Sequence, residues 1–180
     1  MAYFYFYFND DKKTNLDNAL RSLLTQLAVR SDRYCDILSL LYDNNRRSTP
    51  GTDDMITCLE SMLKQPDQGP VYIILDALDE CSNTDQIPSA RTQVVDFLKH
   101  LADLQLSNLH LCVTSRPEDD ILTALKEFCT ISIQEEKGQK EDIDRYIKDV
   151  VDNSNALMGR WNIETKNMVV KALREKAGGM

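Results

Sequence analysis

From Tyr3 to Phe8 the chain alternates tyrosine and phenylalanine, residues that favour the pleated strand. The alternation predicts a strand over residues 2–8, with Phe4, Phe6 and Phe8 on one face. Aromatic residues on both faces imply cover on both sides. Asn9-Asp10-Asp11 ends the run, and the period then changes from two to that of a helix. Leu16, Ala19, Leu20, Leu23, Leu24, Leu27 and Ala28 form one apolar stripe, capped by Thr14 or Asn15. Two shorter amphipathic stretches follow, one on Tyr34, Ile37, Leu38, Leu41 and Tyr42, the other on Met55, Ile56, Leu59, Met62 and Leu63. The polar segment 43–53, with Pro50-Gly51, separates them as a loop.

Val71 to Leu75 is continuously apolar and ends in Asp76, after a turn between Pro66 and Pro70. Such a run is the mark of a central parallel strand buried on both faces. A helix on Val94, Val95, Phe97, Leu98, Leu101 and Ala102 comes next. Leu109 to Thr114 then repeats the buried-strand pattern and stops at Ser115-Arg116-Pro117. Glu118, Asp119 and Asp120 suit the positive end of a further helix, whose buried face is Ile121, Leu122, Leu125 and Phe128. Thr130 to Ile133 reads as a short strand. Helices on Ile143, Tyr146, Ile147, Val150 and Val151, and on Met168, Val169, Ala172 and Leu173, close the chain. Strands alternating with helices predict an α/β fold with a mostly parallel sheet flanked by helices. Ligands of such sheets sit beyond the carboxyl ends of the strands. That directs attention to Asn9-Asp10-Asp11, Asp76 to Glu80, Thr114-Ser115-Arg116 and Gln134 to Lys137.

Composition narrows the classes. The 180 residues carry a net charge of −8, with 29 acidic against 21 basic side chains. That surface repels nucleic acid and anionic lipid, and Arg46-Arg47 is too short to offset it. No apolar run approaches the roughly 20 residues that span a bilayer, and the aromatic start lacks a basic flank, so the expectation is a cytoplasmic protein. Five scattered cysteines without a CxxC pair argue against a disulfide framework and a zinc site. His100 and His110 have no metal-ligand spacing with them, and Trp161 reads as a packing residue.

The strongest chemical signal is the apolar strand followed by Asp76-Ala77-Leu78-Asp79-Glu80. A carboxylate at a strand tip can hold Mg²⁺, directly or through water, beside a nucleotide's phosphates. By that logic Asp76 is the metal carboxylate and Glu80 the group that orients an attacking water. Asp79 either adds a metal contact or fixes that geometry. Thr114 and Arg116 would bring a hydroxyl and a guanidinium to the same rim, Arg116 to sense a γ-phosphate or balance the acids. The plainer alternative is that the acids merely end a strand and that Arg116 pairs with Glu118 or Asp119.

Tyr3-Phe4-Tyr5-Phe6, Leu20 to Leu27, Ile73 to Cys81 and Cys112 to Pro117 together resemble the NACHT domains of STAND-class P-loop NTPases. The resemblance is greatest to the fungal forms of heterokaryon-incompatibility and repeat proteins. It implies a three-layer P-loop NTPase-like fold, with residues 1–138 a partial nucleotide-binding core and 139–180 the start of a following helical region. It also implies a switch that hydrolyses ATP or GTP with Mg²⁺, self-oligomerises and signals in non-self recognition or cell death. By position, Asp76 matches the Walker B aspartate, Asp79 and Glu80 the acidic pair associated with hydrolysis, and Arg116 the sensor arginine.

One departure is large. The six glycines include none followed by lysine, so the phosphate-cradling loop of the family is missing. Its carrier strand would lie between the Thr114 strand and the Ile131 strand, and both flanks of the domain are expected to lie outside these residues. The chain alone is therefore expected to bind nucleotide weakly or not at all, and to be inactive. Two other classes remain open. One is a receiver-like phosphoacceptor domain built on Asp10-Asp11, Asp76, Thr114 and Lys137. The other is a non-catalytic interaction module.

Overall fold

A computed structural model describes residues 1–45, 48–66, 69–83, 88–132, 137–153 and 161–177. Arg46-Arg47, Ile133, Gln134 and Gly178 to Met180 therefore lie outside the described residues. The elements are β1 (Ala2–Tyr5), α1 (Leu16–Ala28), α2 (Asp32–Asn44), α3 (Thr52–Leu63), β2 (Val71–Asp76), α4 (Ala90–Asp103), β3 (Leu109–Val113), α5 (Asp119–Ala124), α6 (Lys137–Asn153) and α7 (Ile163–Ala177). The fold is α/β, as expected: helices flank a small parallel sheet in the order β1-β2-β3, consistent with an incomplete P-loop-like fold. Two compact units divide the chain, Met1–Glu127 and Phe128–Met180.

In the first unit, both strand pairings are parallel, because each strand reaches the next through helices rather than a hairpin. Phe4 lies opposite Leu75 and Tyr5 opposite Asp76, while Leu75 lies opposite Val113. Ala2, Phe4, Phe6, Val71, Ile73 and Leu75 bury one face of β1 and β2 in a cluster with the apolar stripes of α1, α3 and α4. Each such leucine or phenylalanine contributes about 2 kcal/mol on burial. Helix α1 starts at Asn15, whose side chain accepts the Asn18 N–H at 3.1 Å. From its last turn, Gln26 reaches the exposed edge of β1 and pairs with both the N–H and the carbonyl of Tyr3 (3.1 and 2.6 Å). A side-chain amide thus occupies backbone groups that an edge strand would otherwise offer to another chain.

Several expectations need correction, among them burial of β2 and β3 on both faces. Alternate residues of β2 are exposed or half-buried, and no residue of β3 is fully buried. The first strand stops at Tyr5, although Phe6 still donates to the Asp76 carbonyl at 2.9 Å. Phe8 is exposed, because the turn at Tyr7–Asp10 carries it out of the pleat. Cover on both sides is not seen either: Tyr3, Tyr5 and Tyr72 stay about half exposed, and Tyr72 stacks on His110 instead (ring centroids 4.7 Å apart). The strand expected at Thr130 is also not formed. Residues 130–132 are irregular and Ile131 is exposed, with no neighbouring strand to pair with among the described residues. Phe128 likewise falls beyond α5, which ends at Ala124.

In the second unit α6 and α7 pack on each other. Arg174 pairs with Asp144 at 2.6 Å and Lys166 faces Asp152 at 3.8 Å. Trp161 is only partly covered. Among the described residues no helix is long and apolar enough to cross a membrane.

Candidate functional site

Parallel pairing sets the carboxyl ends of β2 and β3 side by side, and the register places Thr114 next to Asp76. Thr114 uses every polar group it has. Its N–H donates to the Leu75 carbonyl at 3.0 Å, and its carbonyl accepts the Leu78 N–H at 2.9 Å. Its hydroxyl donates to the Asp76 carboxylate and accepts the Ala77 N–H at 3.0 Å. The second Asp76 oxygen is left toward solvent at the rim, since Asp76 is exposed.

The chain reverses immediately after Asp76. Ala77 adopts a left-handed backbone (φ 57°, ψ 51°), which costs a residue with a Cβ about 1 kcal/mol. The fully buried Leu78 anchors the turn that follows. Asp79 and Glu80 lie in this single helical turn, Leu78–Glu80, and their carboxylates go to different places.

Asp79 turns toward the segment after β3. Its side chain is only 7% exposed, and one oxygen accepts the Arg116 N–H at 3.0 Å and the Ser115 hydroxyl at 3.4 Å. The other oxygen faces Arg116 Nε at 3.5 Å, while the Arg116 side chain is 80% exposed. Arg116 therefore faces Asp79, and Glu118, the alternative partner, is engaged by Arg91. Glu80 turns the other way, where it accepts the Phe8 N–H at 3.4 Å. The turn after β1 thus reaches the same rim. Ser82 N–H and the Cys81 thiol reinforce this by donating to the Thr14 carbonyl at 3.2 and 3.1 Å. Burial pushes the Cys81 thiol up to about 11, despite the nearby positive charge of Arg91.

The structure thus brings Asp76, Asp79, Glu80, Thr114 and Arg116 to one rim. Among the described residues no three His, Cys, Asp or Glu side chains could hold a metal ion by themselves. A hard divalent ion at this rim would find one carboxylate contact, from Asp76, and would need its remaining ligands from elsewhere. The donor set does not fit a cation caged by protein alone. Of the receiver-like set, Asp76 and Thr114 are adjacent, while the Lys137 side chain lies outside the described residues.

One residue escaped the sequence reading. Arg91, in the first turn of α4, is buried, with its side chain 8% exposed. Its guanidinium donates to Glu118, to Asp120 at 3.0 Å and to the Asp79 carbonyl. Burial alone would lower its pKa, but its hydrogen bonds to Glu118 and Asp120 outweigh that and raise it. A signal was present: Arg91 shares the helical spacing of Val94, Val95 and Leu98, so a cation stands on an apolar stripe. Ser89 caps this helix by accepting the Thr92 N–H at 3.1 Å.

A family model described as Nephrocystin 3, N-terminal, matches residues 1–116, a span that includes all five rim residues and Arg91. No curated protein and no solved structure matches the chain.

Proposed function

The chain belongs to the Nephrocystin 3, N-terminal family, and on that basis and that of the β2–β3 rim we propose that it is the hydrolytic side of a nucleotide-dependent signalling switch of the NACHT type. The observation that carries the reading is the Asp76–Thr114 hydrogen bond at the ends of adjacent parallel strands, with Arg116 two residues on. A strand terminus that merely needed ending would not require a second strand to orient its carboxylate.

In this reading the ligand is ATP or GTP with Mg²⁺, and the metal would supply charge neutralisation to the phosphates. Asp76 would hold the metal with the oxygen that Thr114 leaves free. Glu80 holds the nucleophilic water and takes its proton, its carboxylate kept in place by the Phe8 N–H. Arg116, extended into solvent from its tether on Asp79, meets the charge that develops on the transferred phosphoryl group. Asp79 contributes by fixing Ser115 and Arg116. None of the six glycines of these 180 residues is followed by lysine, so in this reading the phosphate-cradling loop and self-assembly are not assigned to these residues.

The test uses the complete gene product, with any Gly-Lys-Ser/Thr loop that its upstream sequence encodes. Turnover of ATP or GTP that falls at least about a hundredfold in Glu80→Gln is the expected result for loss of a general base. Unchanged turnover removes Glu80 from the mechanism. Absence of turnover and of nucleotide binding in the complete product would leave the chain a non-catalytic interaction module.

A further inference from the structure

We propose that Arg91 is the positioning residue of this rim: it locks the turn carrying Asp79 and Glu80 to the segment carrying Thr114 and Arg116. The hydrogen bonds form a closed circuit. Arg91 donates to the Asp79 carbonyl on one side and to Glu118 and Asp120 on the other. Glu118 N–H donates to the Arg116 carbonyl at 2.9 Å, and Arg116 N–H returns to the Asp79 carboxylate at 3.0 Å. A side branch runs through Ser82, whose carbonyl accepts the Arg91 N–H at 3.0 Å, and through Asn83, whose amide donates to Asp120 at 3.4 Å.

Helix stability does not account for this side chain. A cation in the first turn of α4 opposes the helix dipole, and its buried Nε has no acceptor. Burying a guanidinium with one N–H unsatisfied is costly. Three charge-assisted bonds offset that cost, and all three go to the two segments that form the rim. Arg91 donates to none of the five rim side chains. Its effect passes through the Asp79 backbone and through the two acids that follow Arg116.

The catalytic consequence rests on the nucleotide-hydrolysis reading, whereas the positioning itself does not, so the experiment reads the two separately. Native-state hydrogen exchange on the 180-residue chain reports the Arg116 amide in wild type, Arg91→Met, Arg91→Lys and the double variant Glu118→Ala/Asp120→Ala. The double variant removes the half-exposed partners and leaves α4 intact, so it decides the matter should Arg91→Met fail to fold. Protection at Arg116 is expected to fall about tenfold or more in Arg91→Met and the double variant, the scale of a lost charge-assisted hydrogen bond. Arg91→Lys restores part of it, and amides of α3 stay unchanged. Arg116 protection within twofold of wild type in the double variant overturns the proposal. In the complete protein, Arg91→Met is expected to lower kcat with KM nearly unchanged. A raised KM at constant kcat would place Arg91 on the ligand and overturn it equally. Arg116 deprotection in a complete protein that hydrolyses nothing would uphold the positioning role and sink the hydrolytic reading alone.

Discussion

The Asp79 carboxylate accepts the backbone N–H of Arg116 at 3.0 Å, and so an acid from the turn after β2 holds the main chain after β3. The same oxygen takes the Ser115 hydroxyl, and the side chain is almost fully covered. An acceptor in that position can be neutral or charged, and the two cases separate by mutation. Asp79→Ala leaves the Arg116 N–H without its partner and is expected to cost about 2 kcal/mol. Asp79→Asn keeps an oxygen acceptor and loses only attraction to the exposed Arg116 guanidinium, at about 1 kcal/mol or less. Urea unfolding of both variants checks the order; equal costs would mean that charge, not the hydrogen-bond acceptor, holds the segment.

Thr114 couples the two strand ends through one hydroxyl, which donates to Asp76 and accepts from Ala77. Replacing Thr114 with Val preserves shape and removes both bonds, at an expected cost of about 1–2 kcal/mol. Thr114→Ser retains the hydroxyl and is expected to lie within about 0.5 kcal/mol of wild type, the range of an ordinary surface change. Chemical denaturation of the pair measures the hydroxyl against the lost methyl.

The sequence was most legible where burial dictates pattern. Leu16 to Ala28 could be read because a buried face repeats at the period of its element. The continuous apolar run Val71 to Leu75 was legible as a strand but not in its cover, since it implied two buried faces and only one is buried. The rim was legible for a related reason: a carboxylate directly after a fully apolar strand stands at a known place in a parallel sheet. What the residues could not convey is direction. Asp79 and Glu80 are adjacent in sequence, yet one carboxylate goes to Arg116 and the other to Phe8, because the left-handed Ala77 and the buried Leu78 set the turn between β2 and α4. Tyr3 and Tyr5 suggested cover because aromatic residues favour strands whether or not a layer lies above them. Arg91 went unnoticed since its partners, Glu118 and Asp120, come from a distant segment that only the parallel topology brings near.

The five cysteines divide by environment. Cys58 and Cys81 are buried, and burial pushes both thiols up to about 11, whereas Cys35, Cys112 and Cys129 are exposed. Because the thiolate is the reactive form, brief treatment with iodoacetamide near neutral pH is expected to modify only the exposed three. Intact mass and peptide mapping read the result, and denaturant should open the other two. Labelling of Cys81 in the native chain would mean that its bond to the Thr14 carbonyl, and with it the closure of the turn after β1 onto the rim, is absent in solution.

Glu60 joins α3 to α4 by facing both Lys64 on its own helix and His100 across the interface, the latter at 2.7 Å. The hydrogen bond from Lys64, then that from His100, holds its carboxyl below the ordinary value of 4.5. A pKa lower in the folded state than in the unfolded one means that unfolding takes up protons as the solution is acidified. The contribution of Glu60 is therefore complete above the ordinary glutamate value and fades as pH falls through the depressed one. Lys64 and His100 are about half exposed, so solvent screening keeps the contribution under about 1 kcal/mol. Glu60→Gln removes the titration, and the stability gap between wild type and variant is expected to be widest near neutral pH and to close in acid. Urea midpoints measured from pH 7 down to the lowest pH at which the chain folds give the gap directly. A gap that persists in acid would assign the role of Glu60 to packing, since packing does not titrate.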